Sequence, residues 1–270
     1  MFYSPHQNAE PHRPRVLALA NQKGGVGKTT TAVNLGTALA ATHKRVLIID
    51  LDPQGNASTG LGLDAASRPV TIYEVLIGEA SLSGAAIEAP VPGLFVIPST
   101  RELSGAEIEL IDAPRREHRL KDALETLQGD WDYVLIDCPP SLNLLTLNAF
   151  VASDAVLVPL QCEFYALEGL SHLLHTVERV KQALNPRLEI QGVVLTMFDK
   201  RNNICDMVAS DVRSHFGEKV YETVIPRNVR VSEAPSYGQP VLLYDWRCTG
   251  SQAYIHLASE LLRRDARAAA

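Results

Sequence analysis

The chain reads as an α/β protein built on a doubly wound, mostly parallel sheet with helices on both faces, and three observations lead there. A glycine-rich octapeptide, Lys23-Gly24-Gly25-Val26-Gly27-Lys28-Thr29-Thr30, stands between an apolar run and an amphipathic segment. Two later β-branched runs each end in an aspartate followed closely by proline. From Leu142 onward helical and strand patterns alternate, the order that winds a parallel sheet with right-handed crossovers.

With 270 residues, 46% hydrophobic and 21% charged, the sequence can bury one sizeable core. We assign residues 15–264 to a single domain, residues 1–14 to a disordered N-terminal tail and residues 265–270 to a C-terminal tail. The first 14 residues are polar, carry several prolines and histidines, and lack the apolar centre of a secretory peptide. No run approaches the ~18 apolar residues of a membrane span, so a cytoplasmic location is expected. Cys138, Cys162, Cys205 and Cys248 show no paired C-x-x-C spacing, which argues against a zinc site or a disulfide framework. Cys138 and Cys162 adjoin apolar strands and are expected to be buried packing residues. The net charge is −6, yet carboxylates outnumber bases only ahead of residue 195, and beyond it the two nearly balance. Capacity for an anionic partner therefore sits late in the chain.

In chain order, Val16 to Ala20 is the first strand and the octapeptide its outgoing turn. Gly24, Gly25 and Gly27 let the backbone turn tightly and aim N–H groups inward, and the helix beginning near Lys28 adds the positive end of its dipole. That is a nest for polyphosphate, with Val26 and Thr30 completing it. Lys28 would reach the β and γ phosphates, and the Thr29 hydroxyl would be a ligand of Mg²⁺. The general pattern asks for glycine five residues before Gly27, where Gln22 stands with a second lysine, Lys23, beside it. A lysine so near its own nucleotide's phosphates needs another target. The economical one is a nucleotide held by a second copy, so a nucleotide-dependent homodimer is expected.

The run Arg45 to Asp50 is apolar on both faces, as a central parallel strand should be. It continues into Asp50-Leu51-Asp52-Pro53-Gln54-Gly55-Asn56, at the carboxyl edge where such sheets bind ligands. Asp52 is placed to orient a water or to hold the metal's water shell. Thr71 to Ile77 and the charged run Arg101 to Leu127 read as helices, and Leu94 to Pro98 as a strand. Arg115, Arg116, Arg119 and Lys121 then form a solvated helix face. Asp132 to Asp137 repeats the design of the second strand before Cys138-Pro139-Pro140, and Asp137 would hold Mg²⁺ through water. A helix over Leu142 to Ala152, a strand over Ala155 to Pro159, a helix over Tyr165 to Leu184 and a strand over Gly192 to Thr196 follow. His172 and His175, without acidic or thiol partners, read as surface or packing residues.

Two late segments, Thr196 to Arg201 and Val224 to Pro235, each end a strand on the ligand edge and should flank the adenine. Pro226 offers an apolar face and Asn228 an amide for a purine. Arg201 and Arg230 show no obvious acidic partner along the sequence. A terminal helix spans Gly250 to Arg264.

The octapeptide resembles the deviant Walker A motif of the ParA/MinD family of P-loop ATPases. Asp50 to Asn56 resembles that family's switch I, Asp137 its Walker B aspartate, and Pro139-Pro140-Ser141 its switch II. The resemblance extends from about Val16 to Leu262 and points to the chromosomal ParA/Soj branch. It implies the P-loop NTPase fold and a slow, Mg²⁺-dependent ATPase using Lys23, Lys28 and Asp52. ATP would join two subunits in a sandwich, with Lys23 of each crossing to the other's nucleotide. It further implies non-specific binding to double-stranded DNA through arginines that fall at Arg201 and Arg230, a ParB-like centromere-binding partner that stimulates hydrolysis, and a nucleoid-associated location. Among alternatives, a MinD-like membrane-associated cell-division regulator needs a terminal amphipathic helix, and Asp265-Ala-Arg-Ala-Ala-Ala is poor membrane material. An iron–sulfur reductase needs cluster cysteines. A small-molecule ATP-dependent ligase stays open, because a phosphate loop does not name the acceptor.

Overall fold

The computed structural model describes residues 13 to 268. Seven strands, β1 (Arg15–Leu19), β2 (Val46–Asp50), β3 (Ile87–Glu88), β4 (Leu94–Ile97), β5 (Tyr133–Asp137), β6 (Ala155–Gln161) and β7 (Glu189–Thr196), form one sheet in the order β3-β4-β2-β5-β1-β6-β7. All neighbours run parallel except β3, a two-residue edge strand antiparallel to β4. The helices are α1 (Lys28–Ala40), α2 (Asn56–Gly60), α3 (Ile72–Ile77), α4 (Leu82–Ala85), α5 (Leu103–Glu109), α6 (Arg119–Glu125), α7 (Leu144–Ala152), α8 (Ala166–Ala183), α9 (Asn203–Phe216), α10 (Val229–Glu233), α11 (Val241–Tyr244) and α12 (Thr249–Ala268).

Period-two alternation within uniformly apolar strands builds two cores. Val16 and Ala18 of β1, Leu47 and Ile49 of β2, and Val134 and Ile136 of β5 join the side chains of α3 and α5 to α9. Their neighbours Leu17, Leu19, Val46, Ile48 and Leu135 face α1 and α12 on the other side. Gly36 lets α1 come close to β2, since a Cβ there would lie 2.9 Å from Ile48 Cδ1. The doubly wound reading is thus what the chain adopts, and the parallel strands all deliver their carboxyl ends to one edge.

Several local expectations change. The run Arg101 to Leu127 is two short helices, α5 and α6, separated by Asp112-Ala113-Pro114-Arg115. Proline cannot donate into a helix, and Arg115 takes a left-handed φ of 54°. The basic face is partly paired, Arg115 with Asp122 and Arg116 with Glu117. The stretch expected to lead into Pro226 as a strand makes only two isolated parallel bridges, Val193 with Val220 and Phe198 with Pro226. The terminal helix runs on to Ala268, and Asp265 is anchored: it accepts from the Tyr133 hydroxyl at 2.8 Å and from Gln191 at 3.0 Å. Arg13 pairs with Asp154, while the rest of the expected N-terminal tail, residues 1–12, lies outside the described residues, as do 269 and 270. Cys138, Cys162 and Cys205 are buried free thiols. Among the described residues no helix is long and apolar enough to cross a membrane.

Candidate nucleotide site

The loop after β1 is a backbone cradle. Gly25 and Gly27 take φ of 74° and 89°, and a Cβ added at Gly24 or Gly25 would meet nothing within 4 Å, so the chain leaves open space for a ligand there. Gly27 caps α1, whose first residue is Lys28. The Val26 side chain is buried beneath the loop and its carbonyl accepts from the Thr196 hydroxyl at 2.8 Å. Asn21 braces the loop from the other side: its amide donates to the Pro159 carbonyl at 2.8 Å and its Oδ1 accepts from the Lys23 N–H at 3.0 Å. A cavity of about 770 Å³ opens above, lined by Gly24, Gly25, Gly27, Lys28, Thr29, Thr30 and Asp52.

Lys28 is buried, and its Nζ donates to the Lys23 carbonyl at 3.2 Å. Burial pulls its pKa down, while Asp137, Cys138 and Asp52 push it back up. Beside it stand two strand-end carboxylates in register, Asp50 of β2 and Asp137 of β5. Asp50 accepts from the Ser58 N–H at 2.8 Å and hydroxyl at 2.7 Å, and burial nonetheless pushes its pKa up to about 6. Asp137 is fully buried and neither carboxylate oxygen has a donor in hydrogen-bonding geometry. Burial, then the charge of Asp50, raises its pKa well above the usual range, against the pull of the Thr29 hydroxyl and the Lys28 ammonium. An orphaned buried carboxylate facing a threonine hydroxyl fits a hydrated divalent cation, the role expected of Thr29 and Asp137. Asp52 sits at the cavity wall with its Oδ1 accepting from the Gln54 N–H at 2.9 Å.

Pro226 and Asn228 line the opposite wall. Asn228 also holds that wall together. Its Oδ1 accepts from the Arg230 N–H at 2.8 Å, capping α10, and its amide donates to the Thr249 hydroxyl at 2.9 Å. Lys23 is not among the residues lining the cavity; its ammonium pairs with the Glu163 carboxylate of the same chain. The two arginines do have acidic partners, contrary to expectation. Arg201, 88% exposed, forks onto Asp199 at 2.9 and 2.7 Å. Arg230 pairs with Glu233 at 3.0 Å and Asp245 at 3.6 Å. Arg201 lies in a second cavity of about 1010 Å³ with Lys200, Arg213, Arg227 and Arg247, and this cavity shares Pro226, Arg227 and Asn228 with the first.

A family model described as an AAA domain matches residues 14–190. Over 253 residues the chain is 66% identical to the chromosome partitioning protein ParA of Caulobacter vibrioides, covering 93% of this chain and 95% of that one. The chain belongs to the ParA/MinD family of P-loop ATPases, in its ParA/Soj branch. It is also 54% identical over 247 residues to the sporulation initiation inhibitor protein Soj of Bacillus subtilis, covering 92% and 98% of the two chains. Among solved structures, a protein described as cobyrinic acid a,c-diamide synthase from Mycobacterium smegmatis, with bound ADP and magnesium, superposes with a TM-score of 0.82 at 40% identity over 94% of this chain and 96% of that chain. The cell division ATPase MinD of Pyrococcus furiosus gives a TM-score of 0.76 at 27% identity over 92% and 98%.

For a member of this family the sequence reading missed the residues that hold the site rather than line it. Asp50 had a visible signal, since it ends β2 as Asp137 ends β5. Asn21 and Ser58 had none, because each acts through a partner made near only by the fold; Thr196 heads a segment placed on the ligand edge and lines the cavity, and only its bond to the Val26 carbonyl went unread.

Proposed function

We propose that the chain is a DNA-partitioning ATPase: an ATP-joined homodimer binds double-stranded DNA without sequence preference, and a ParB-like centromere-binding partner resets it by stimulating hydrolysis. The observation that carries this reading is the shared wall, Pro226, Arg227 and Asn228, between the phosphate-loop cavity and the basic cavity around Arg201. A nucleotide in one and a phosphate backbone in the other would touch the same three residues.

The loop N–H groups and Lys28 hold the phosphates of ATP, with the α1 N-terminus behind them. Thr29 and, through water, Asp137 would hold Mg²⁺, which when bound neutralises charge on the β and γ phosphates. Asp52, fixed by Gln54, orients a water toward the γ phosphate. Lys23 serves the nucleotide of the second copy. An active site completed only by a second subunit and a partner is slow alone, which suits a switch rather than a metabolic catalyst. Arg201 and Arg230 meet DNA phosphates, and doubling them in a dimer doubles the electrostatic gain, so an acidic monomer binds poorly. The setting is the cytoplasm, on the nucleoid.

Size-exclusion chromatography of Asp52→Ala with a short DNA duplex tests the reading. A dimer that carries DNA in ATP but not in ADP is expected; a monomer in both nucleotides overturns it.

A further inference from the structure

We propose that Glu163 is a positioning residue that holds Lys23 within its own subunit, so that the lysine must be released before it can serve a neighbouring copy. This rests on the dimer reading above. Lys23 is fixed at three points. Its N–H donates to Asn21 Oδ1 at 3.0 Å, its carbonyl accepts from Lys28 Nζ at 3.2 Å, and its ammonium meets the Glu163 carboxylate. Asn21 is itself held by the Pro159 carbonyl of β6, the strand whose last residue, Gln161, lies two positions before Glu163. Loop and acid are therefore clamped to the same strand end. The backbone anchors need not change when the side chain swings; only the ion pair must break.

The alternatives for Lys23 within the subunit are few. Asp52 and Asp137 act on Lys28, which is buried beside them, whereas Lys23 is half-exposed and does not line the cavity. The surroundings of Glu163 are those of a surface a second copy would cover. Phe164 and Tyr165 follow it in sequence, are 80% and 69% exposed, and contact each other edge to face with ring centroids 5.2 Å apart. A triphosphate presents several negative charges where Glu163 presents one, so the exchange favours the nucleotide once a second copy brings it within reach. In a symmetric dimer the pair breaks twice. Exposed ion pairs are weak, on the order of a threefold effect each, so the latch raises the dissociation constant of the dimer by about tenfold.

The test is a sedimentation-equilibrium measurement of the dimer dissociation constant at saturating ATP in the non-hydrolysing Asp52→Ala background. Adding Glu163→Gln should tighten the dimer about tenfold while leaving the monomer's affinity for a fluorescent ATP analogue unchanged, and Glu163→Asp should stay near the parent value. The gain must disappear when Lys23→Met is also present: that variant with and without Glu163→Gln must dimerise equally. An unchanged or weaker dimer in Glu163→Gln, or tightening that survives Lys23→Met, overturns the latch. If the Asp52→Ala parent fails to dimerise in ATP, the dimer reading itself fails; if it dimerises and Glu163→Gln does not tighten it, only the latch does.

Discussion

The Thr196 hydroxyl donates to the Val26 carbonyl at 2.8 Å, tying the carboxyl end of β7 to the phosphate loop across 170 positions of sequence. Both groups are buried, so Thr196→Val leaves a carbonyl without a donor at about 1–3 kcal/mol. Part of that cost falls on the loop's shape. We expect a lower melting temperature and roughly tenfold weaker binding of a fluorescent ATP analogue. Unchanged affinity with lowered stability would show that the bond serves folding alone.

Asp137 predicts opposite signs for stability and activity. Burial and the charge of Asp50 outweigh the pull of Thr29 and Lys28 on its carboxyl, so Asp137→Asn relieves a disfavoured charge and should stabilise the nucleotide-free protein by about 1–3 kcal/mol in urea denaturation. ATP turnover should fall by at least about a hundredfold, because charge at the phosphates is then poorly met. A destabilised variant that still turns over ATP would remove Asp137 from the site.

The pH dependence follows from Asp50. Its carboxyl ionises near its ordinary value of 3.8 when unfolded but only at about 6 when folded, mainly through burial. The native state therefore gives up stability as pH rises from about 4 through 6, by at most about 3 kcal/mol for that shift. Asp50→Asn, whose amide oxygen can still accept from Ser58, should match the parent at pH 4 and exceed it at pH 8. Parallel urea midpoints across that range would refute the assignment.

What the sequence made legible were features whose parts are neighbours in the chain. Lys23 to Thr30, Asp52 and Asp137 stand out because phosphate loops and strand-end carboxylates have short-range spacing, and the sheet follows from their alternation with helices. Pro114 inside a charged, helix-like run was outweighed by composition, yet its missing N–H divides α5 from α6. The pairing of Lys23 with Glu163, 140 positions away, depends on β1 and β6 lying side by side, and that of Asp265 with Tyr133 on where α12 packs against the sheet. Arg230 was nearer to being readable, since Glu233 lies one helical turn on, but Asp245 joins it only through α11.

The two arginines should differ under substitution. Arg201→Glu breaks an exposed pair with Asp199 and should abolish DNA binding with little change in melting temperature. Arg230→Glu sets a carboxylate against Glu233 and Asp245, so it should lose DNA binding and lower the melting temperature as well. Arg201→Ala, one phosphate contact fewer per subunit, should flatten the log–log salt dependence of DNA affinity by about 1.8 for a dimer. Fluorescence anisotropy on a random duplex at several salt concentrations reads all three; an unaltered slope would take Arg201 off the DNA.

The adenine wall can be probed from behind. Gly250, buried near the start of α12, lies so close to α10 that an added Cβ would collide with Val231 Cγ2 and rest 3.5 Å from Asn228. Both neighbours line the nucleotide cavity. Gly250→Ala should therefore shift α10, at about 1–3 kcal/mol of overpacking, and displace the wall without touching the phosphate loop. Affinity for ATP should fall about tenfold while affinity for inorganic tripolyphosphate, which needs only the loop and Lys28, stays as it was. Gly169→Ala is the control: it sits inside α8 with nothing within 4 Å of its added Cβ, so it should be neutral or slightly stabilising. If Gly250→Ala weakens ATP and tripolyphosphate equally, α10 does not flank the base, and the late segment from Val224 to Pro235 supports the loop instead.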